Sequence, residues 1–100
     1  MAERSPFEAL ADPTRRAILR LLRSGSKSAG DIAAGFQLTK PTLSHHLRVL
    51  RESGLVRVER RGTSLVYTVQ ANALEELATE VLDLVDGVGR VARRKREVSS

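Results

Sequence analysis

The sequence predicts a small, mainly α-helical domain carrying one β-hairpin, in the order α-α-α-α-β-β-α. Three observations predict it. Apolar residues recur at helical spacing behind a series of capping residues, Asp12, Ser28, Thr39 and Asn72. Two β-branched runs, 55–60 and 64–69, flank Arg61-Gly62-Thr63. A chain of 100 residues has room for one core, and without cysteine that core must hold with no disulfide or Cys-ligated zinc.

The elements follow in order. Phe7, Leu10 and Ala11 fall at helical spacing and predict a short first helix. Asp12-Pro13 starts the second, with an Asp N-cap and proline in the first helical position; Ile18, Leu19, Leu21 and Leu22 supply its apolar face, and Ser24-Gly25 closes it. Ser28 with Asp31 resembles a capping box and opens a short helix that stops at Gly35. After Phe36-Gln37-Leu38, Thr39 caps a longer helix, where Pro41 falls in the first turn and costs no intrahelical bond; it runs to about Ser53 and ends at Gly54. A short helix, a tight turn and a longer helix make a helix-turn-helix layout. The β-branched runs then predict a hairpin with a three-residue loop, Arg61-Gly62-Thr63. Asn72 is expected to cap the last helix, with Glu75 and Glu76 in its first turn.

Charge is unevenly placed. The net +5 divides into +6 over residues 1–70, −5 over 71–89 and +4 over 90–100. A basic body makes a polyanion the first partner to consider. With only Phe7, Phe36 and Tyr67, the chain is too poor in aromatics for a base-stacking, single-strand platform. The longest uncharged run, Gly62–Leu74, contains Thr, Ser, Tyr, Gln and Asn, unlike the roughly 18 apolar residues of a membrane span. Glu3 and Pro6 stand where a signal peptide would have its apolar core. A cytoplasmic protein without membrane insertion is expected.

The helix after Thr39 carries the candidate site. At 100° per residue, Leu43, His46, Leu47 and Leu50 share one face, and Pro41, Ser44, His45 and Arg48 share the other, flanked by Lys40, Thr42 and Arg51. Arg48 can make paired bonds to guanine, and Lys40, Thr42, Ser44 and His45 can reach base edges or phosphates. The bland alternatives are surface hydroxyls, an Arg48–Glu52 pair one helical turn apart, and a core-edge role for His46. Arg60, Arg61 and Thr63 at the hairpin tip can lie on phosphates or enter a minor groove; a charged tip also serves solubility. In the last helix Leu74, Leu77, Val81, Leu84 and Val88 form a stripe longer than so small a core needs, which points to a partner helix.

Three stretches together closely resemble the ArsR family of bacterial winged helix-turn-helix repressors, nearest to its metal-independent, SdpR-like autorepressor branch. They are Ala9-Leu10-Ala11-Asp12-Pro13-Thr14-Arg15-Arg16-Ala17-Ile18-Leu19, Pro41-Thr42-Leu43-Ser44-His45-His46-Leu47-Arg48-Val49-Leu50, and Gly54-Leu55-Val56 with Arg60-Arg61-Gly62-Thr63. The resemblance covers about residues 7–86, and it implies a homodimer on an inverted-repeat operator, usually at its own promoter. It maps the DNA-contacting Ser-His pair onto Ser44 and His45, and the arginine-bearing wing onto Arg60 and Arg61. It also implies dimerisation through the first and last helices, hence Phe7 and Leu10 beside the leucine stripe. The chain departs from the family's metal sensors: Ser28–Ala34 has no Cys-x-Cys, and Glu80, Asp83 and Asp86 on the last helix have no histidine among them. Carboxylates alone make a poor transition-metal site, and His45 and His46 point about 100° apart. No metal, no cofactor and no catalytic residue is expected.

The expected organisation is a DNA-binding and dimerisation domain over 7–86 and a basic tail over 87–100. The expected function is a dimeric repressor that sets two recognition helices in successive major grooves of double-stranded DNA, roughly 10 base pairs apart. An unidentified effector or partner protein would release it. The alternative is a dimeric module whose basic face and tail meet an acidic protein or a membrane surface.

Overall fold

The computed structural model describes residues 4–86. Helices α1 (Pro6–Ala11) and α2 (Pro13–Leu22) meet at Asp12. Its carboxylate accepts the Arg15 N–H at 3.0 Å, so the residue that ends α1 caps α2. Strand β1 (Lys27–Ser28) leads into helix α3 (Ala29–Ala34), and helix α4 (Lys40–Glu52) follows. Ser28 and Thr39 cap these two helices, accepting the N–H groups of Asp31 and Thr42 at 3.1 and 3.3 Å. Strands β2 (Val56–Arg61) and β3 (Ser64–Val69) and helix α5 (Ala71–Val85) complete the described chain.

The end of α4 shows how local chemistry aims the hairpin. Gly54 takes a φ of +81°, its N–H donates to Arg51 O at 3.1 Å, and the Leu55 N–H donates to Leu50 O at 3.0 Å. This is a Schellman motif, and Leu50 and Leu55, the residues its outer bond joins, are both fully buried. The helix thus stops and turns β2 back along its own flank.

The core is built from one face of each element. Ile18, Leu19 and Leu22 of α2 and Ile32 of α3 meet Leu43, Leu47, Val49 and Leu50 of α4, with Ala9 beneath α1. Leu55, Val56 and Tyr67 close it from the sheet side, and Leu77 from α5. Each fully buried leucine or isoleucine contributes about 1.5–3 kcal/mol by leaving water.

The structure differs from the sequence expectation in three places. The sheet has three antiparallel strands in the order β1-β3-β2, not two. Lys27 lies opposite Tyr67, Ser28 opposite Val66, and the Ser26 and Thr68 hydroxyls bond at 2.6 Å. No β-branched residue marks β1; the unpaired edge of β3 recruits it. Second, Arg61 pairs with Ser64, so the hairpin loop is Gly62-Thr63 rather than three residues. Gly62 has a φ of +62° and Thr63 a negative one, the φ signs of a type II′ turn. Third, Asn72 lies inside α5 rather than capping it, and Glu75 and Glu76 lie beyond the first turn. A tertiary bond decides this start: the Gln70 N–H donates to Leu55 O at 2.8 Å, while Gln70 O accepts from Ala73 and Leu74.

Candidate nucleic-acid interface

Helix α4 presents the face its sequence predicts. Leu43, Leu47 and Leu50 are buried, while Lys40, Pro41, Thr42, Ser44, His45 and Arg48 are all exposed. At its N-terminus the Thr39 hydroxyl donates to the Thr42 hydroxyl at 2.9 Å, which fixes the Thr42 side chain. Ser44, Arg48 and Arg51 then line one wall of a cleft of about 320 Å³ whose other wall is Val58, Leu65 and Tyr67 of the hairpin. Helix and wing therefore frame one concave surface edged by the guanidiniums of Arg48 and Arg51.

Register separates the two arginines of the wing. Directly paired residues share a face, so Val58/Tyr67 and Arg60/Leu65 lie on the side turned to α4. Arg57, Glu59 and Arg61 lie on the opposite side. There the Arg61 Nε and Nη2 both donate to Glu59 Oε1, at 2.9 and 2.5 Å. Arg60 lies on the strand face turned to α4; Arg61 is occupied by a carboxylate on its own strand. Thr63 is exposed at the tip.

Acids near the reading face are engaged elsewhere. Glu52 does not pair with Arg48; Arg4 Nε donates to its Oε1 at 2.5 Å, and the Arg4 N–H donates to Glu52 O at 3.2 Å. That hydrogen bond, helped by the charges of Arg4, Arg48 and Arg51, holds the Glu52 carboxyl below its ordinary range. Arg48 is left to face outward.

His46 sits at the core edge, its side chain 12% exposed. Its Nδ1 lies 3.2 Å from Arg15 Nη1 and 3.9 Å from Asp12 Oδ2. Burial is the largest influence and pushes its pKa down; the charges of Arg15 and His45 add to this, and Asp12 opposes it. Burial pushes Asp12 up, but the Arg15 and Thr14 amides with the His46 and Arg15 charges outweigh it and hold Asp12 below the usual carboxylate value. The Arg15 guanidinium also donates from Nε to Ala9 O at 2.8 Å and from Nη2 to Glu8 O at 3.2 Å. Sequence reasoning missed these links from Arg15 and Arg4, because their partners lie 31 and 48 residues away and no local pattern joins them.

The residues expected at a subunit interface separate into two groups. Leu77 is 4% exposed and belongs to the subunit's own core, and Leu10 and Leu74 pack half-buried against that core. Phe7, Val81 and Leu84 are 45, 46 and 79% exposed, and Leu82 and Val85, absent from the expected stripe, are exposed as well. Val88 and the basic tail lie outside the described residues. Among the described residues no group of three or more His, Asp or Glu side chains is placed to hold a metal ion, and no helix is long and apolar enough to cross a membrane.

A helix-turn-helix whose second helix turns a hydroxyl, imidazole and guanidinium face outward, beside a basic hairpin, defines a winged helix-turn-helix DNA-binding protein. The profile of the bacterial regulatory proteins of the arsR family matches residues 12–58. The transcriptional repressor SdpR of Bacillus subtilis (strain 168) is 38% identical over 80 residues, which cover 80% of this chain and 89% of that protein. The arsenical resistance operon repressor of Staphylococcus xylosus is 34% identical over 80 residues, covering 80% of this chain and 76% of that protein. A crystal structure described as a possible transcriptional regulator for arsenical resistance is 33% identical with a TM-score of 0.74, covering 87% of this chain and 92% of that one. The chain belongs to the arsR family and is a DNA-binding transcriptional regulator of the repressor type. Nothing in these likenesses supports a protein- or membrane-surface module.

Proposed function

We propose that the protein represses transcription as a cytoplasmic homodimer, with no catalytic activity and no resident metal or cofactor, at an inverted-repeat operator that includes its own promoter. One observation carries the reading: the outer face of α4, with Ser44, His45 and Arg48 exposed opposite three buried leucines, is left open by the described residues and suits a major groove. Arg48 and His45 read base edges, and Lys40, Thr42 and Ser44 fix the helix on flanking phosphates. Arg51 and Arg60 hold the phosphate strand that enters the helix–wing cleft, with Arg61 and Thr63 at its margin. Residues 7–86 are the DNA-binding and dimerisation unit, extended at its start by Arg4.

The dimer forms through α1 and the second half of α5. Phe7, Val81, Leu82, Leu84 and Val85 are exposed apolar side chains close in chain position to residues that already pack in the core, and a second copy covers them. A signal that shifts these helices, delivered by an effector or partner protein, changes the spacing of the two reading heads and releases the DNA.

The test is selection of duplexes from a random library by the full chain, then mobility shift on the selected duplex and a scrambled control, with and without divalent metals. The expected result is a selected inverted repeat bound at least 10³-fold more tightly than the control at moderate salt, unchanged by metal. Equal binding to both duplexes refutes sequence-specific repression, and metal-dependent release refutes metal independence.

A further inference from the structure

The recognition helix is joined to α1 at both ends of α1. Just before α1, Arg4 holds Glu52 by side chain and backbone. At its end, Arg15 takes two of the terminal carbonyls of α1, Glu8 O and Ala9 O, which have no helical partner of their own. The same guanidinium reaches His46 Nδ1 across the α2–α4 contact at 3.2 Å. Arginine has no acceptor and keeps its charge, so this contact requires an unprotonated Nδ1, with the ring proton on Nε2. His46 is adjacent to His45, which lies on the exposed reading face. Phe7, on the outer side of α1, is 45% exposed.

We propose that Arg15 is a positioning residue for DNA recognition: its guanidinium locks the His46 side of α4 to the C-terminus of α1, so that a displacement of α1 is passed to the reading face. The inference rests on α4 being the DNA-reading helix. Its physical basis is the rigid fork. One planar group with several donors in fixed directions serves two backbone carbonyls and a ring nitrogen at once, and these belong to α1 and α4. If α1 moves, the fork cannot keep all three, and the His46 contact is the one on the helix that carries the reading face. The titratable and charged groups facing His46 are Asp12, which caps α2, Arg15 of α2 and His45 of α4; α1 contributes backbone carbonyls to Arg15.

The experiment compares His46→Leu, His46→Gln, Arg15→Gln, Arg15→Lys and the Arg15→Gln/His46→Leu double variant in the full chain. The probe is the duplex that the wild-type chain selects from a random library, with a scrambled duplex as control. Folding is checked by circular dichroism and assembly by sedimentation. His46→Leu and Arg15→Gln are expected to fold and assemble as wild type yet bind the selected duplex about tenfold more weakly, with little change on the scrambled one. His46→Gln keeps an acceptor for the guanidinium and restores most of the affinity. Arg15→Lys, which keeps the charge and loses the fork, does not. The double variant loses no more than its weaker parent, because both substitutions break one link. A purely structural role predicts lower melting temperatures with unchanged affinity in the folded fraction, and that result overturns the proposal. So do losses that multiply in the double variant. If Arg15→Gln fails to fold, the contrast between His46→Leu and His46→Gln decides the matter alone. A wild-type chain that selects no sequence overturns the DNA-reading assignment itself, whereas selection by wild type with normal binding by the variants overturns only this link.

Discussion

Helices α4 and α5 are both amphipathic, and among the described residues both leave one face exposed, but the exposed faces differ in kind. The outer face of α4 is polar and cationic. The outer face of α5 carries Val81, Leu82, Leu84 and Val85 beside an acidic edge of Glu75, Glu76, Glu80, Asp83 and Asp86. Desolvating the first repays only if donors and charges find new partners, as they do on nucleic acid. Covering the second is favourable wherever an apolar surface meets it, as a second α5 would. The contrast supports the proposed division of partners, and an acidic edge on α5 would be repelled by phosphate.

The largest expected effect tests whether α5 itself divides in the same way. Leu77→Ala should lower subunit stability by about 2–5 kcal/mol in urea denaturation at any protein concentration, because it empties a core position. Leu84→Asp should leave the far-UV circular dichroism spectrum intact and yield monomers by light scattering. A folded dimer of Leu84→Asp would remove α5 from the interface.

Next come the base contacts proposed for α4. Arg48→Ala and His45→Ala should each weaken binding to the selected duplex by about 1–3 kcal/mol while sparing scrambled DNA. Equal loss on both would make them phosphate contacts. The wing gives a smaller, more discriminating effect. Arg60→Ala should reduce the slope of log K against log salt by about 1, and Arg61→Ala by less, since Glu59 already engages it. The reverse order would show that the outer side of the wing meets DNA.

The smallest effect is in pH. The folded pKa of His46 lies below its ordinary 6.5, so the unfolded chain takes up that proton first as the pH falls. Stability should therefore be level above about pH 7, decline as the pH drops below 6.5, and stop declining from this cause once the lowered pKa is passed. Asp12 is depressed below 3.8, so its contribution persists above that value and is lost as the pH falls through the lowered one. Thermal melts of His46→Gln should lose the upper decline and keep the carboxylate one.

How much of this was legible in the chain follows the range of the interactions. Capping is local, so Asp12, Ser28 and Thr39 announced three helix starts correctly, and Gly54 announced the end of α4. The two faces of α4 followed from helical spacing alone, down to the core-edge position of His46. Where a start depended on a distant partner, the same reasoning failed. Asn72 is a good capping residue, yet α5 begins at Ala71 because Gln70 is anchored to Leu55. Strand β1 was invisible for a like reason: two residues without β-branching become a strand only because an edge of β3 needs partners.

By itself, then, the sequence determined the helix-turn-helix, the hairpin and the residues offered outward on α4, because caps, glycine turns and periodicity act within a few residues. Tertiary structure alone decided that Leu77 is spent on the subunit's own core while Leu84 is not, and that Arg60 rather than Arg61 shares the strand face turned to α4. It alone brought Arg15 to His46 and Arg4 to Glu52. Those outcomes rest on which surfaces meet when the elements pack and on strand register, and neither is written in the spacing of any one segment.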